Sequence, residues 1–443
     1  MSSFEKLVEN WPLGSAIVSE RAESFDRMHG LFFAPIRYNP HPIFRHNIVP
    51  PTNAWIREQF LRLVRDEFQD SLGESSSPSI LNFSQIEQCD EGLIKIGQKL
   101  RDNAEQGLIY NSRFLEIFSH HQPREFENRL RSILINEEIG NKKNKEFLDK
   151  KDMQFLFSRM KTGVRICFPG LPFRDQNPFR TDGPPDHVTL AEVYYLIRLH
   201  CTALAIYQVL PTGADVLVLS DGSFFGDVLG VSEDMTSKYL KNIRKIRDEL
   251  NLSGTIQILD LRKLIDIWDD GSGIFAKSVS EVQYHILSLQ RNDGDFRTAF
   301  NSLMLGVRRN FNSRSFRVDP TDLASWIVGS PSVNGLGSLP ESEEIEVRSA
   351  KYAALNLCLK WHEIFSSVLP TAVRATVHPK AGQIGLPKLG SCLPWNGVAI
   401  VDGEEIAWNN VEVHSLTEAT RRGFTLTPIA DGENVIYYQR NRN

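Results

Sequence analysis

Two arginines, Arg174 and Arg180, stand six residues apart in a loop that carries five prolines between Phe168 and Glu192. Proline fixes its own backbone and keeps its predecessor out of the helical region, so such a loop is stiff. Guanidinium forks on a stiff loop suit phosphate or carboxylate. Further along, Asp221 and Asp227 flank Gly222 just past the apolar run from Val216 to Leu219, and carboxylates there suit proton transfer. Near the C-terminal end, Arg374, Thr376 and His378 alternate on one face, Lys380 follows Pro379, and Lys388 lies beyond Gly382 and Gly385. Brought to one cleft, these groups would handle an anionic small molecule.

The elements that must position them read from periodicity. Val164, Ile166 and Phe168 alternate, which predicts a short strand ahead of the proline-rich loop. Thr189 and Glu192 have capping-box spacing, and Leu190, Val193, Ile197, Cys201 and Leu204 continue at helical spacing. The run 215–220 is a strand buried on both faces. Ser232 caps a helix whose Met235, Tyr239, Ile243, Ile246 and Leu250 share a face, and 255–261 is another strand. Strand–helix–strand units of this length imply an α/β fold: a Rossmann-like, doubly wound parallel sheet over 81–330, with ligands at the strands' carboxyl ends. Residues 1–80 read as a helical N-terminal extension, with a helix from Thr52 to Phe68. Residues 331–443 read as a smaller C-terminal α+β domain, with 372–378 among its strands and hairpins at Asp402–Gly403 and Asp431–Gly432.

Composition bounds the class. The 443 residues are 41% hydrophobic and 24% charged, with net charge −5. That excludes the basic surplus of a nucleic-acid binder. The five cysteines, at 89, 167, 201, 358 and 392, are scattered without close pairs, as expected of reduced, buried thiols in a cytoplasmic protein. No stretch reaches the length and apolarity of a membrane helix, so no membrane partner is expected. Familiar sites are missing: there is no Walker loop, no zincin pair, no GxSxG elbow and no His-x-Asp pair. Gly271 to Ala276 fits a loose dinucleotide fingerprint but lacks the preceding apolar strand.

Three blocks in order carry a family resemblance. The first holds Phe168, Pro172, Phe173, Arg174, Asn177, Arg180, Pro185, Asp186 and Glu192. The second runs from Ser220, Asp221 and Gly222 through Asp227 and Val231 to Tyr239. The third holds Trp361, Arg374, His378, Lys380, Lys388, Pro394, Trp395, Asn396 and Gly397. Together they resemble the isocyanide (isonitrile) synthases, relatives of the pyoverdine-cluster and dityrosine-biosynthesis enzymes. The resemblance implies an enzyme of secondary metabolism that condenses the amine of an L-amino acid with ribulose 5-phosphate, fragmenting the sugar phosphate to leave an isonitrile. It implies two small-molecule substrates and no metal or organic cofactor. Asp221, Asp227, His378 and Lys380 would then be catalytic, while Arg174, Arg180, Asp186, Arg374, Lys388 and Asn396 would bind substrate. The family more usually carries lysine at positions 174 and 180 and histidine at 396. An arginine keeps the anion site but cannot form a Schiff base. Two other readings stay open: an N-formyl amino-acid synthase of the dityrosine type, and a catalytically silent sugar-phosphate or amino-acid binding protein. Neither the amino acid nor the oligomeric state is legible.

Overall fold

The computed structural model describes residues 53–67, 90–110, 123–136, 140–147, 164–175, 180–181, 185–209, 214–269, 271–311, 342–361, 364, 372–377, 379, 383–403, 405–426 and 438–439. At its centre is a five-stranded, all-parallel sheet of β1 (Val164–Pro169), β2 (Ala214–Ser220), β3 (Ile256–Asp260), β4 (Ala372–Thr376) and β5 (Ile384–Gly385), in the order β3-β2-β1-β4-β5. Apolar side chains project from both faces of the inner strands. Ile166, Phe168, Val216 and Val218 enter one core, and Cys167, Leu217 and Leu219 the other. Only a sheet covered on both sides tolerates that pattern.

The helices take sides according to strand order. In chain order the helices are α1 (Asn53–Glu67), α2 (Asp90–Tyr110), α3 (Pro123–Ile135), the single turn α4 (Asn144–Phe147), α5 (Leu190–Val209), the single turn α6 (Gly222–Phe225) and α7 (Glu233–Glu249). They continue with α8 (Leu261–Asp269), α9 (Ile274–Asn292), α10 (Gly294–Phe311) and α11 (Ser342–Trp361). From β1 through β3 the chain steps one way across the sheet, and the crossing helices α5 and α7 pack on the first face with α2 and α3. Between β3 and β4 it jumps back past β1, and α8 to α11 fill the second face. A right-handed crossover requires this change of face when the direction reverses. Helix α1, from the expected N-terminal extension, docks on the second face: its Phe60 ring lies 4.4 Å from Phe296 and 6.0 Å from Phe300.

A second, mixed sheet follows, built from β6 (Val398–Val401), β7 (Val411–His414), β8 (Thr425–Leu426) and β9 (Tyr438–Gln439), with α12 (Leu416–Arg421) between β7 and β8. Helix α5 lies between the two sheets and is buried on every side, its polar Glu192, Arg198, His200 and Thr202 included. On its outer side the Tyr194 hydroxyl donates to the Trp408 carbonyl, and the two rings meet edge to face.

Two expectations are corrected here. The strand at 372–378 was expected in the small antiparallel part. Instead Ala372, Val373 and Arg374 pair in parallel with Arg165, Ile166 and Cys167. The strands therefore divide between the sheets after Gly385, not near 331. The Asp402–Gly403 turn does not close a tight hairpin either. Asp402 N donates to Asn410 O, so a loop over 402–410 joins β6 to β7. The Asp431–Gly432 turn lies outside the described residues, although β8 and β9 do pair antiparallel.

The short edge strand β5 is held by two buried asparagines. Asn144 Nδ2 donates to Leu134 O at 2.5 Å and Gly385 O at 3.0 Å, while its Oδ1 accepts from Gly385 N at 2.6 Å. Asn141 Nδ2 reaches Val377 O and Leu386 O. These amides occupy an edge that would otherwise be open to another strand. Asn144→Ala is expected to cost about 2–4 kcal/mol, because it strands several buried backbone groups at once. A denaturant midpoint measured on the variant checks this; a loss below about 1 kcal/mol would show the amide to be dispensable.

Candidate active site

The strand order reverses between β1 and β4, so the crevice at their carboxyl ends is where a sheet of this topology takes ligand. The segment leaving β1 is locked there. Gly170 N donates to Leu219 O, and Ser220 Oγ donates to Leu171 O at 2.8 Å. Leu171 is fully buried with φ 54, a left-handed conformation that leucine rarely adopts. Strain of this kind persists where the surroundings over-determine it, and it clusters at functional sites. Pro172 then presses against the loop after β2. A Cβ at position 222 would lie 1.9 Å from the Pro172 carbonyl oxygen, so only glycine fits.

Asp221 sits directly above that contact, half-buried at the carboxyl end of β2. Its backbone is at φ −99 and ψ 10, the sparsely populated bridge region. Its carbonyl accepts from Phe224 N and Phe225 N, but its side chain makes no capping bond to α6. The bland role for this residue, a carboxylate capping the following turn, is therefore not what holds it.

Arg174 is placed differently from the expectation. It is not an exposed clamp: its side chain and that of Glu192 are both at 0% exposure. Arg174 Nη1 donates to Thr189 Oγ1 at 2.7 Å and to Glu192 at 3.2 and 3.3 Å, while Nη2 reaches Gly397 O at 3.2 Å. Glu192 also accepts from Thr189 N at 2.9 Å and Thr189 Oγ1 at 2.6 Å. The capping-box glutamate thus doubles as the counter-ion of a buried arginine. Burial holds the Glu192 carboxyl above its ordinary value, although Arg174 and Thr189 pull it down. The Arg174 fork ties the loop after β1, the first turn of α5 and the turn before β6 into one unit. Asp175 N, donating to Trp395 O at 2.8 Å, adds a second tie. Trp395 in turn packs on Phe168 and Tyr195.

Asp227 also lies elsewhere than expected. Its side chain is 71% exposed and pairs with Lys351 at 3.2 Å and Arg348 at 3.9 Å, both on α11. It braces α11 at the surface. The remaining positions lie on several different elements. Arg180 is part-exposed, 3.9 Å from Asp175, and its carbonyl accepts from Leu416 N. Asp186 holds its loop to α7 through its carbonyl, which accepts from Asn242 Nδ2 at 3.2 Å. Arg374 projects from β4 on the face opposite buried Val373 and Ala375, beside Cys167. Lys388 is exposed beyond β5, and Asn396 is half-buried in the turn next to Trp395. His378 and Lys380 lie outside the described residues; they flank the buried Pro379, just beyond the end of β4.

Three buried thiols, Cys167, Cys201 and Cys358, are poor nucleophiles. Burial pushes Cys167 and Cys201 each up to about 12. Sequence reasoning missed the pairing of Glu192 with Arg174, and the environment of Tyr239 below it. The capping-box spacing was the one local signal, and it pointed only to a helix start.

Comparison with known proteins falls on the same segment. Residues 156–301 match the family model described as pyoverdine/dityrosine biosynthesis protein. Among curated proteins, an L-tyrosine isonitrile synthase of Xenorhabdus nematophila is 21% identical, over 57% of this chain and 73% of its own length. The L-tryptophan isonitrile synthase AmbI1 of Fischerella ambigua is 18% identical, over 55% of this chain and 72% of its own. The crystal structure of the PvcA protein from Pseudomonas aeruginosa is 16% identical, with a TM-score of 0.49 covering 71% of this chain and all of that one. The family match runs from just before β1 into α10, and over that part the chain is similar to the pyoverdine/dityrosine biosynthesis proteins and to the isonitrile synthases.

Proposed function

We propose that this protein is an isocyanide synthase that condenses the amine of an L-amino acid with the C2 ketone of ribulose 5-phosphate. The observation that carries the reading is a coincidence of place. The family match spans the stretch that forms the carboxyl edge of β1 and β2 and sets Asp221 there without a capping role.

In this reading the amine attacks C2, water leaves, and the carbon–nitrogen bond forms. One carbon–carbon bond of C2 then breaks with its electron pair kept on C2 and releases an aldehyde. The other breaks with its pair on the departing carbon, which takes up a proton. The nitrogen lone pair closes the third carbon–nitrogen bond, leaving C2 as the isonitrile carbon while C1 and C3–C5 depart as separate fragments. Asp221 moves protons during imine formation and cleavage. His378 and Lys380, from the stretch that follows β4, are the second candidates for proton transfer. With Arg174 committed to Glu192, the sugar phosphate falls to Arg180, and the amino-acid carboxylate to Arg374 or Lys388. Asp186 and Asn396 are proposed to bind substrate from the walls of the crevice. Holding both reactants in one crevice supplies much of the rate, because it replaces an encounter in solution by a positioned contact.

The test is incubation of the purified protein with L-tyrosine, L-tryptophan and other amino acids together with ribulose 5-phosphate labelled with carbon-13 at C2. A labelled isonitrile on the amino acid's nitrogen is the expected product. A labelled formamide would move the assignment to the N-formyl branch, and unchanged substrates with saturable binding would leave a binding protein.

A further inference from the structure

Tyr239 lies on α7 with its whole side chain buried, in the row Thr236, Tyr239, Ile243 and Ile246 that faces the first core. Its hydroxyl is enclosed and makes no hydrogen bond. A buried hydroxyl without a partner is costly, and native proteins retain few of them. A phenylalanine would fill the same space without that cost, so packing does not explain the oxygen.

The surroundings of the oxygen do. Helix α7 packs against α5 and against the turn α6 that follows Asp221. Its Asn242, one turn after Tyr239, is bonded to the Asp186 carbonyl of the loop after β1. The charged groups acting on the phenol come from three elements: Glu192 of α5, Arg174 of the loop after β1, and Asp221 at the end of β2. Tyr195 is a useful contrast. Its hydroxyl is equally buried and partnerless, but its ring lies among Phe168 and Trp395, and burial alone acts on it.

We propose that Tyr239 is a positioning residue for the reaction: its hydroxyl donates to the Asp221 carboxylate when the substrates occupy the crevice, fixing the oxygen that exchanges protons with them. The direction of the bond follows from the phenol's state. Burial, reinforced by Glu192, keeps it protonated far above neutral pH, so it acts as a donor and not as a base. The Arg174–Glu192–Thr189 network behind it holds α5, and with it the charges facing the phenol, in place.

This inference rests on the isocyanide synthase reading, and the experiment separates the two. Wild type, Tyr239→Phe and Tyr195→Phe are assayed with the amino acid and ribulose 5-phosphate over a range of pH, and their melting temperatures are recorded. Tyr239→Phe is expected to melt no lower than wild type and to lose about ten- to a hundredfold in kcat, the scale of one hydrogen bond to a charged group. KM for the amino acid stays within about threefold, because the phenol acts through Asp221 and not on the substrate. A bond to the carboxylate favours its charged form, so its loss moves the acid limb of the kcat profile to higher pH. Tyr195→Phe keeps the wild-type kcat and profile. Wild-type kcat and profile in Tyr239→Phe, or an equal loss in Tyr195→Phe, overturns the inference while leaving the enzyme assignment intact. If the wild type itself forms no product from any amino acid, the assignment fails and the role of Tyr239 falls with it.

Discussion

Asp221→Asn is expected to lose product formation by about 10²-fold or more while the protein folds and melts as the wild type does. Asparagine has the same shape and can satisfy every structural role open to the aspartate, including an Asx turn. What it cannot do is take up and return a proton near neutral pH. The structure sharpens this test, because the side chain does not cap α6 and the backbone sits in the bridge region between β2 and that turn. Chain position adds to the case. Ser220, one residue earlier, is bonded to Leu171 of the strained segment after β1, so Asp221 is aimed from a rigid support on both sides. Single-turnover assays with labelled sugar phosphate, alongside thermal melts, make the measurement. Full activity in a well-folded Asp221→Asn protein would reduce the residue to structure and move proton transfer to the segment after β4.

The strands β1 and β2, the Thr189–Glu192 helix start and the Ser232 cap were legible because each depends on neighbours within a few residues. Alternation in 372–378 was legible too, and Arg374 does project opposite buried Val373 and Ala375. Its partner strand was not legible, since parallel pairing joins segments about two hundred residues apart and leaves no mark on either. The same distance hid the state of Arg174. A proline-rich loop with alternating charges reads as surface, and it is burial beneath Gly397 and α5 that turns one of those charges inward. Asp227 shows the reverse case. A carboxylate seven residues past a buried strand reads as part of the site, while the one-turn helix α6 carries it out to α11. Position along the chain places Asp221 at the sheet's edge, because it directly follows the last residue of β2. It failed for Asp227, because even a single helical turn changes the direction in which the chain travels.

Arg174→Ala is expected to produce the largest loss of stability of any single change at the site. The guanidinium is fully buried and engages Thr189, Glu192 and Gly397, so its removal leaves a buried carboxylate without its cation. Breaking a buried pair from one side costs about 3–5 kcal/mol, against about 5–15 kcal/mol for a whole protein. The pH dependence gives the loss a signature. Burial already holds the Glu192 carboxyl above 4.5, its value when unperturbed, and the arginine opposes that rise. Without the arginine the folded-state value climbs further. Between the unfolded and the folded values the native protein keeps a proton that the unfolded chain has released, so stability falls as pH rises through that window and then levels off. The penalty of Arg174→Ala should therefore be smallest near pH 4.5 and grow toward neutrality. Pairing the change with Glu192→Gln removes the stranded charge while keeping an acceptor for Thr189 N, and should restore a large part of the lost stability at neutral pH. Denaturant midpoints of the two variants at acidic and neutral pH decide the matter. An Arg174→Ala protein as stable as the wild type at neutral pH would mean that the arginine is not bound to the core, and would return it to the crevice as an anion clamp.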